Sequence, residues 1–142
     1  MIALGSDHGG YELKMSIIEH LKERNIEYKD FGCYSQESCD YPIFGKAAAA
    51  AVASGECEYG IVICTTGIGI SIAANKIKGI RCALCTNTEL AKMTKLHNDA
   101  NMLALGAKVV SKELANEIVD TFLDTPFSNE ERHIKRVNLI EE

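Results

Sequence analysis

Short apolar runs alternate with amphipathic stretches along the whole chain. Met1–Leu4, Ile26–Phe31, Tyr59–Cys64, Arg81–Cys85 and Asn101–Leu105 have the length and side-chain types of strands, and Tyr59–Cys64 is the most apolar. Between them, Gly10–Arg24 places Leu13, Ile17, Ile18 and Leu21 at helical spacing. Ile43–Ser54 is an alanine-rich helix, and Ile70–Lys76 is a short one ended by Lys78-Gly79. Glu89–His97 is helical. Ser111 caps a helix that carries Leu114, Ile118, Val119 and Phe122 on one face. After Pro126 a last helix runs from about Asn129 to Ile140. Strands alternating with helices in this way predict an α/β fold: a Rossmann-like, five-stranded parallel sheet inside a three-layer αβα sandwich, with a C-terminal helix. No linker, repeat or low-complexity segment divides the chain, so residues 1–142 read as a single domain.

Composition narrows the function classes. A net charge of −5 and a pI near 5.4 leave no basic face for nucleic acid or an anionic membrane, while still allowing a local basic pocket. The N-terminus lacks the basic lead and apolar core of a signal peptide, and no apolar window reaches membrane-spanning length, which predicts a cytoplasmic protein. Of Cys33, Cys39, Cys57, Cys64, Cys82 and Cys85, only Cys82 and Cys85 have C-x-x-C spacing. On a strand, residues three apart face opposite ways, so these two cannot chelate one ion, and no metal or cofactor is expected. Most of the cysteines read as small core residues in a reducing compartment.

In parallel α/β sheets, ligands bind beyond the carboxyl ends of the strands. There the chain places Ser6-Asp7-His8-Gly9-Gly10, Asp40-Tyr41-Pro42, Cys64 through Ser71, Thr86-Asn87-Thr88 and Gly106-Ala107-Lys108, and His97-Asn98-Asp99 lies just ahead of the fifth strand. These polar groups are expected to converge on one edge. Gly67 and Gly69 would let backbone amides turn toward an anion, and Cys64 sits where those amides and a helix N-terminus could hold a thiolate. Taken alone, a G-x-G is as often a structural turn, and a cysteine ending a strand is as often inert core. His8 and His97 are acid–base candidates near neutral pH. His20, in mid-helix, reads as a surface residue. Arg132 and Arg136 share a helix face; two guanidinia suit a phosphate, although a solvated face paired with Glu130, Glu131, Glu141 or Glu142 is the simpler reading of the spacing.

Taken together, Ser6-Asp7-His8-Gly9-Gly10, Asp40-Tyr41-Pro42, Gly60 through Lys76, Gly79-Ile80-Arg81, His97-Asn98-Asp99-Ala100-Asn101 and Arg132-His133-x-x-Arg136 resemble the type B ribose-5-phosphate isomerases, in order and over nearly the whole chain. The broader group includes allose- and galactose-6-phosphate isomerases. The resemblance implies aldose–ketose isomerisation of ribose 5-phosphate and ribulose 5-phosphate, in the non-oxidative pentose phosphate pathway, without a cofactor. It implies that Cys64 is the base that moves a proton between C1 and C2 through a cis-enediolate, assisted by Thr66. The amides from Thr65 through Gly67, Ile68 and Gly69 to Ser71 would form the anion hole. His97, with Asp7, would open the furanose ring, Asn98 and Tyr41 would line the pocket, and His8, Arg132 and Arg136 would hold the phosphate. It further implies a homodimer, possibly paired into a tetramer, whose site takes the His97 region and the first-strand loop from different chains.

Three positions depart from the family pattern. Thr65 stands where many members have glycine, which fits if φ is negative there. Lys108 replaces an arginine that reaches the phosphate, keeping the charge but losing the planar fork. Asn129-Glu130-Glu131 replaces a glycine-rich approach to the last helix. The same residues also admit a six-carbon sugar phosphate as substrate, or a phosphosugar- or nucleotide-binding module without catalysis.

Overall fold

The computed structural model describes all 142 residues. Five strands, β1 (Ile2–Ser6), β2 (Tyr28–Asp30), β3 (Tyr59–Cys64), β4 (Cys82–Leu84) and β5 (Met102–Gly106), form one sheet in the order β2-β1-β3-β5-β4, with every pairing parallel. Six helices connect and flank them: α1 (Tyr11–Glu23), α2 (Tyr41–Ala53), α3 (Ile68–Asn75), α4 (Thr88–Asn98), α5 (Lys112–Asp124) and α6 (Glu131–Glu141).

Successive residues of the three central strands point to opposite faces, and both faces are dry. Ile2 and Leu4 of β1, Ile61 and Ile63 of β3, and Leu103 and Leu105 of β5 pack with α1, α4 and α5. Ala3, Val62, Cys64, Met102 and Ala104 face the other way, onto the thin alanine surface of α2 and onto α3. The expected three-layer αβα sandwich is the observed one. After β1 the chain crosses to the α1 layer, and after β3 it crosses to the α3 layer. Their carboxyl ends therefore part into the crevice where such folds hold ligands.

Element boundaries shift where a neighbour is missing or a cap intervenes. The edge strands β2 and β4 hold three residues each rather than the longer runs expected, because each pairs on one side only. Helix α2 begins at Tyr41, with Pro42 in its first turn, where a fixed φ costs nothing. Helix α3 begins at Ile68, because Gly67 takes φ 80° and serves as its N-cap. Ser111 caps α5 as expected, accepting from the Leu114 amide at 3.1 Å. His20 departs from its expected surface role. It is half-buried and meets Asp120 at 2.7 Å, and Arg24 reaches Asp120 and Asp124 at 2.7 and 2.9 Å, so that α1 is tied to α5.

Candidate active site

The carboxyl edge is built mostly of backbone. Cys64 ends β3, is 5% exposed, and its Sγ accepts the Gly67 N–H at 3.1 Å. The turn is closed by Ile68 N–H donating to Thr66 Oγ1 at 3.2 Å and by Ser71 N–H donating to Gly67 O at 3.2 Å. Ser71 Oγ donates to Ile68 O at 2.7 Å. The Gly67, Ile68 and Ser71 amides are therefore all taken up by bonds within this turn. The amides of Thr65, Thr66, Gly69 and Ile70 donate to no group in the chain. Gly69 and Ile70 lie in the first turn of α3, where amides have no intrahelical acceptor and the helix dipole favours negative charge.

Neighbouring loops press on this turn. A Cβ on Gly69 would lie 2.6 Å from Cζ of Tyr41, so the Tyr41 ring lies against the mouth of α3. Asp7 is buried and its carboxylate accepts the Gly10 amide at 3.1 Å. His8 Nδ1 accepts the Cys39 amide at 3.2 Å, which leaves the rest of its ring exposed. Thr65 does not adopt positive φ. Its hydroxyl fills the space beside Gly9, where a Cβ would sit 2.3 Å from it. Lys108 is exposed, and its amide donates to Thr65 O at 3.0 Å. Asp7, His8, Tyr41, Cys64, the turn and Lys108 are thus gathered as expected.

His97, Asn98, Arg132 and Arg136 are not with them. His97 and Asn98 end α4 and precede β5, so they lie at the amino edge of the sheet. Arg81, just ahead of β4, donates to Asn98 O and Asp99 O at 3.2 and 3.0 Å. The six residues of β3 separate the two edges by roughly 17 Å. The expectation that the polar groups converge on one edge is corrected for these four residues within the chain. The reason is topological: a residue preceding a parallel strand is delivered to the end opposite one that comes after it. Arg132 and Arg136 are exposed on α6, which packs on α4. Arg132 pairs with Glu130 at 2.8 Å, and Asn129, at φ 58°, takes the left-handed conformation a glycine would supply there.

Two residues given no role by the sequence shape these edges. Lys14 is fully buried and donates to Asp30 Oδ1 and Cys33 O, clamping the loop that reaches His8. His133 is 5% exposed, stacks on His97 with ring centroids 4.5 Å apart, and meets Ser128 Oγ through Nδ1 at 2.6 Å. Its four-residue spacing to buried Val137 was the signal of an inward stripe. Of the remaining cysteines, Cys33, Cys57 and Cys85 are buried, and Cys39 and Cys82 are half-buried. Cys82 and Cys85 point to opposite faces, and burial pushes them up to about 12 and about 11. No three His, Cys, Asp or Glu side chains converge as a metal site.

The fold has close counterparts among known proteins. The family model described as Ribose/Galactose Isomerase matches residues 2–140. The chain belongs to the ribose/galactose isomerase family. Ribose-5-phosphate isomerase B of Escherichia coli K12 is 48% identical over 139 residues, covering 98% of this chain and 93% of that one. The solved structure of Clostridium thermocellum ribose-5-phosphate isomerase B superposes with a TM-score of 0.97 at 57% identity, covering 99% of this chain and 94% of that one. The corresponding Thermotoga maritima structure gives 0.96 at 45% identity, over 99% and 96% of the two chains. Galactose-6-phosphate isomerase subunit LacB of Clostridium acetobutylicum is 42% identical over 127 residues, covering 89% of this chain and 73% of that one. Membership in this family makes the protein an isomerase.

Proposed function

We propose that this family member interconverts ribose 5-phosphate and ribulose 5-phosphate, with Cys64 as the base. The observation that carries the reading is the Cys64 sulfur under the Gly67 amide, with the unpartnered amides of Gly69 and Ile70 in the adjoining helix turn. In the open-chain aldose, the C2 proton is acidic only because the C1 carbonyl takes up the electron pair. The base must therefore be placed beside it, and the developing oxygen charge must be held. Cys64 as thiolate removes the C2 proton and the carbonyl becomes the oxyanion of a cis-enediolate, facing the amides of Thr65, Thr66, Gly69 and Ile70. The thiol returns the proton to C1, and Thr66 assists transfer of the hydroxyl proton. His97 and Asp7 open the furanose ring before this step. His8, Arg132 and Arg136 hold the phosphate, with the charge of Lys108 nearby, and Tyr41 and Asn98 flank the sugar. Phosphate binding, remote from C1 and C2, orients them for the transfer.

Because His97, Asn98 and the two arginines lie at the far edge, the complete site is a shared one: a second copy brings its amino edge to the first copy's carboxyl edge. An exposed apolar patch beside the turn supports such a contact, since Ile43, Ile68 and Ile72 are 62%, 53% and 57% exposed. The assembly is a homodimer, in which a symmetric pairing generates two such sites, and pairs of dimers would give a tetramer. Six free thiols fit a reducing cytoplasm, and no helix is long and apolar enough to cross a membrane.

The test is to mix Cys64→Ala and His97→Asn proteins after dissociation and reassembly, and to assay ribose 5-phosphate in the presence of a chelator. Random pairing restores one intact site in each mixed dimer, or about a quarter of wild-type activity. A mixture no more active than its inactive components would defeat the shared site, and a wild type that turns over six-carbon phosphates faster would replace the pentose with a hexose.

A further inference from the structure

His133 is the one buried histidine of the chain, and the proposed reaction gives it no task. Two contacts fix it. Its ring lies against His97 with an interplanar angle of 37°. Its Nδ1 is 2.6 Å from Ser128 Oγ. Ser128 is itself anchored to α4, because its amide donates to Leu96 O at 3.2 Å, next to His97.

The groups around Ser128 favour one direction for the Ser128–His133 bond. Ser128 Oγ already accepts the Glu130 amide at 3.2 Å. No other protein acceptor lies within reach of its own O–H, which is therefore placed to donate to Nδ1, while the Glu130 carboxylate stands off at 3.9 Å from the same nitrogen. Nδ1 is then an acceptor, and the ring proton sits on Nε2. We propose that Ser128 is a positioning residue: through this bond it holds His133 as the neutral Nε2–H tautomer and presents it to His97 as a packing partner that does not compete for the proton.

The surroundings agree. Burial, followed by His97 on α4 and Arg132 and Arg136 on α6, pushes the His133 ring below the usual histidine range, and Glu130 opposes them. Two rings this close cannot both become imidazolium without mutual repulsion, so a proton on His133 would be denied to His97. The importance for catalysis rests on the reading of His97 as the ring-opening group. The hold of Ser128 on His133 does not.

The experiment therefore has two arms, both on the full-length protein. Nitrogen chemical shifts of the histidine rings, followed across pH, report tautomer and protonation without substrate. The pH dependence of kcat/KM with ribose 5-phosphate reports the effect on His97. In the wild type, His133 is expected as neutral Nε2–H through pH 7. In Ser128→Ala it becomes a tautomer mixture and takes a proton at higher pH. The limb of the rate profile that His97→Asn removes then moves by about half a pH unit or more, with the thermal midpoint unchanged. Ser128→Thr, which keeps the hydroxyl, restores both. A wild-type His133 that is Nδ1–H or charged at pH 7 overturns the proposal, as does a Ser128→Ala protein with unaltered ring shifts. If the wild type fails to isomerise ribose 5-phosphate, the functional reading falls, and the ring shifts alone decide the Ser128 proposal.

Discussion

The two edges of the sheet are made of different materials. At the carboxyl edge, Cys64, Gly67, Gly69 and Ile70 present a thiol and main-chain amides, held by one short turn and by a helix cap. At the amino edge, His97 and Asn98 at the end of α4 and Arg132 and Arg136 along α6 present side chains, and three of the four are largely exposed. The first edge is rigid before any substrate arrives, as a group that meets a developing charge must be. The second leaves its side chains largely exposed, and under the proposed reaction it would meet the substrate from a second copy. A reaction that handles charge at one end of the sugar and phosphate at the other can divide the work this way between copies.

Removing the sulfur tests the rigid edge most severely. Cys64→Ala is expected to lower kcat by about 10²–10⁴-fold while leaving phosphosugar binding by calorimetry nearly intact. An active Cys64→Ala enzyme would return the sulfur to the core. The charged edge should answer differently. Arg132→Ala is expected to raise KM for ribose 5-phosphate by roughly ten- to a hundredfold, the value of a charge-assisted hydrogen bond, with little change for unphosphorylated ribose. Because Glu130 holds Arg132 at 2.8 Å, Glu130→Gln should shift KM modestly downward, and an equal effect on ribose would take Arg132 out of the phosphate site.

Two smaller effects concern stability. Gly67→Ala forces a side chain into φ 80°, 2.6 Å from Leu84 Cδ1, and should cost about 1–3 kcal/mol by urea unfolding. At the exposed edge, Arg136→Ala should leave the urea midpoint unmoved, because its side chain lies on the solvent face of α6. The smallest effect is on pH. His133 is held below its unfolded value of about 6.5, so the unfolded chain binds the extra proton as pH falls through that value. Its contribution is intact above about pH 6.5 and is lost on acidification. Wild type should lose more of its thermal midpoint between pH 7.5 and pH 5.5 than His133→Asn does; equal losses would free His133 of that role.

Much of the carboxyl edge was legible because its parts are contiguous. Cys64, Gly67 and Gly69 lie within one turn, and the period-two alternation of Ile61, Val62 and Ile63 places that turn at the end of a buried strand. Thr65 needed the structure, since its fit depends on the empty side of Gly9, a residue far away in sequence. The commitment of Ser71 to α3 was likewise hidden, because only the helix start at Ile68 assigns its amide. His133 read as one more polar residue between two arginines until packing turned it onto His97.

By itself the sequence determined the alternation of strands and helices, the two-sided burial of the sheet, the family, and the thiol-and-amide turn, all of which depend on local spacing and side-chain type. The tertiary structure alone decided which groups share an edge. Strand direction sends the residues after β3 and those before β5 to opposite ends of the sheet, and one-dimensional spacing carries no record of that separation. The separation of Cys64 from His97 within one chain was therefore settled by topology.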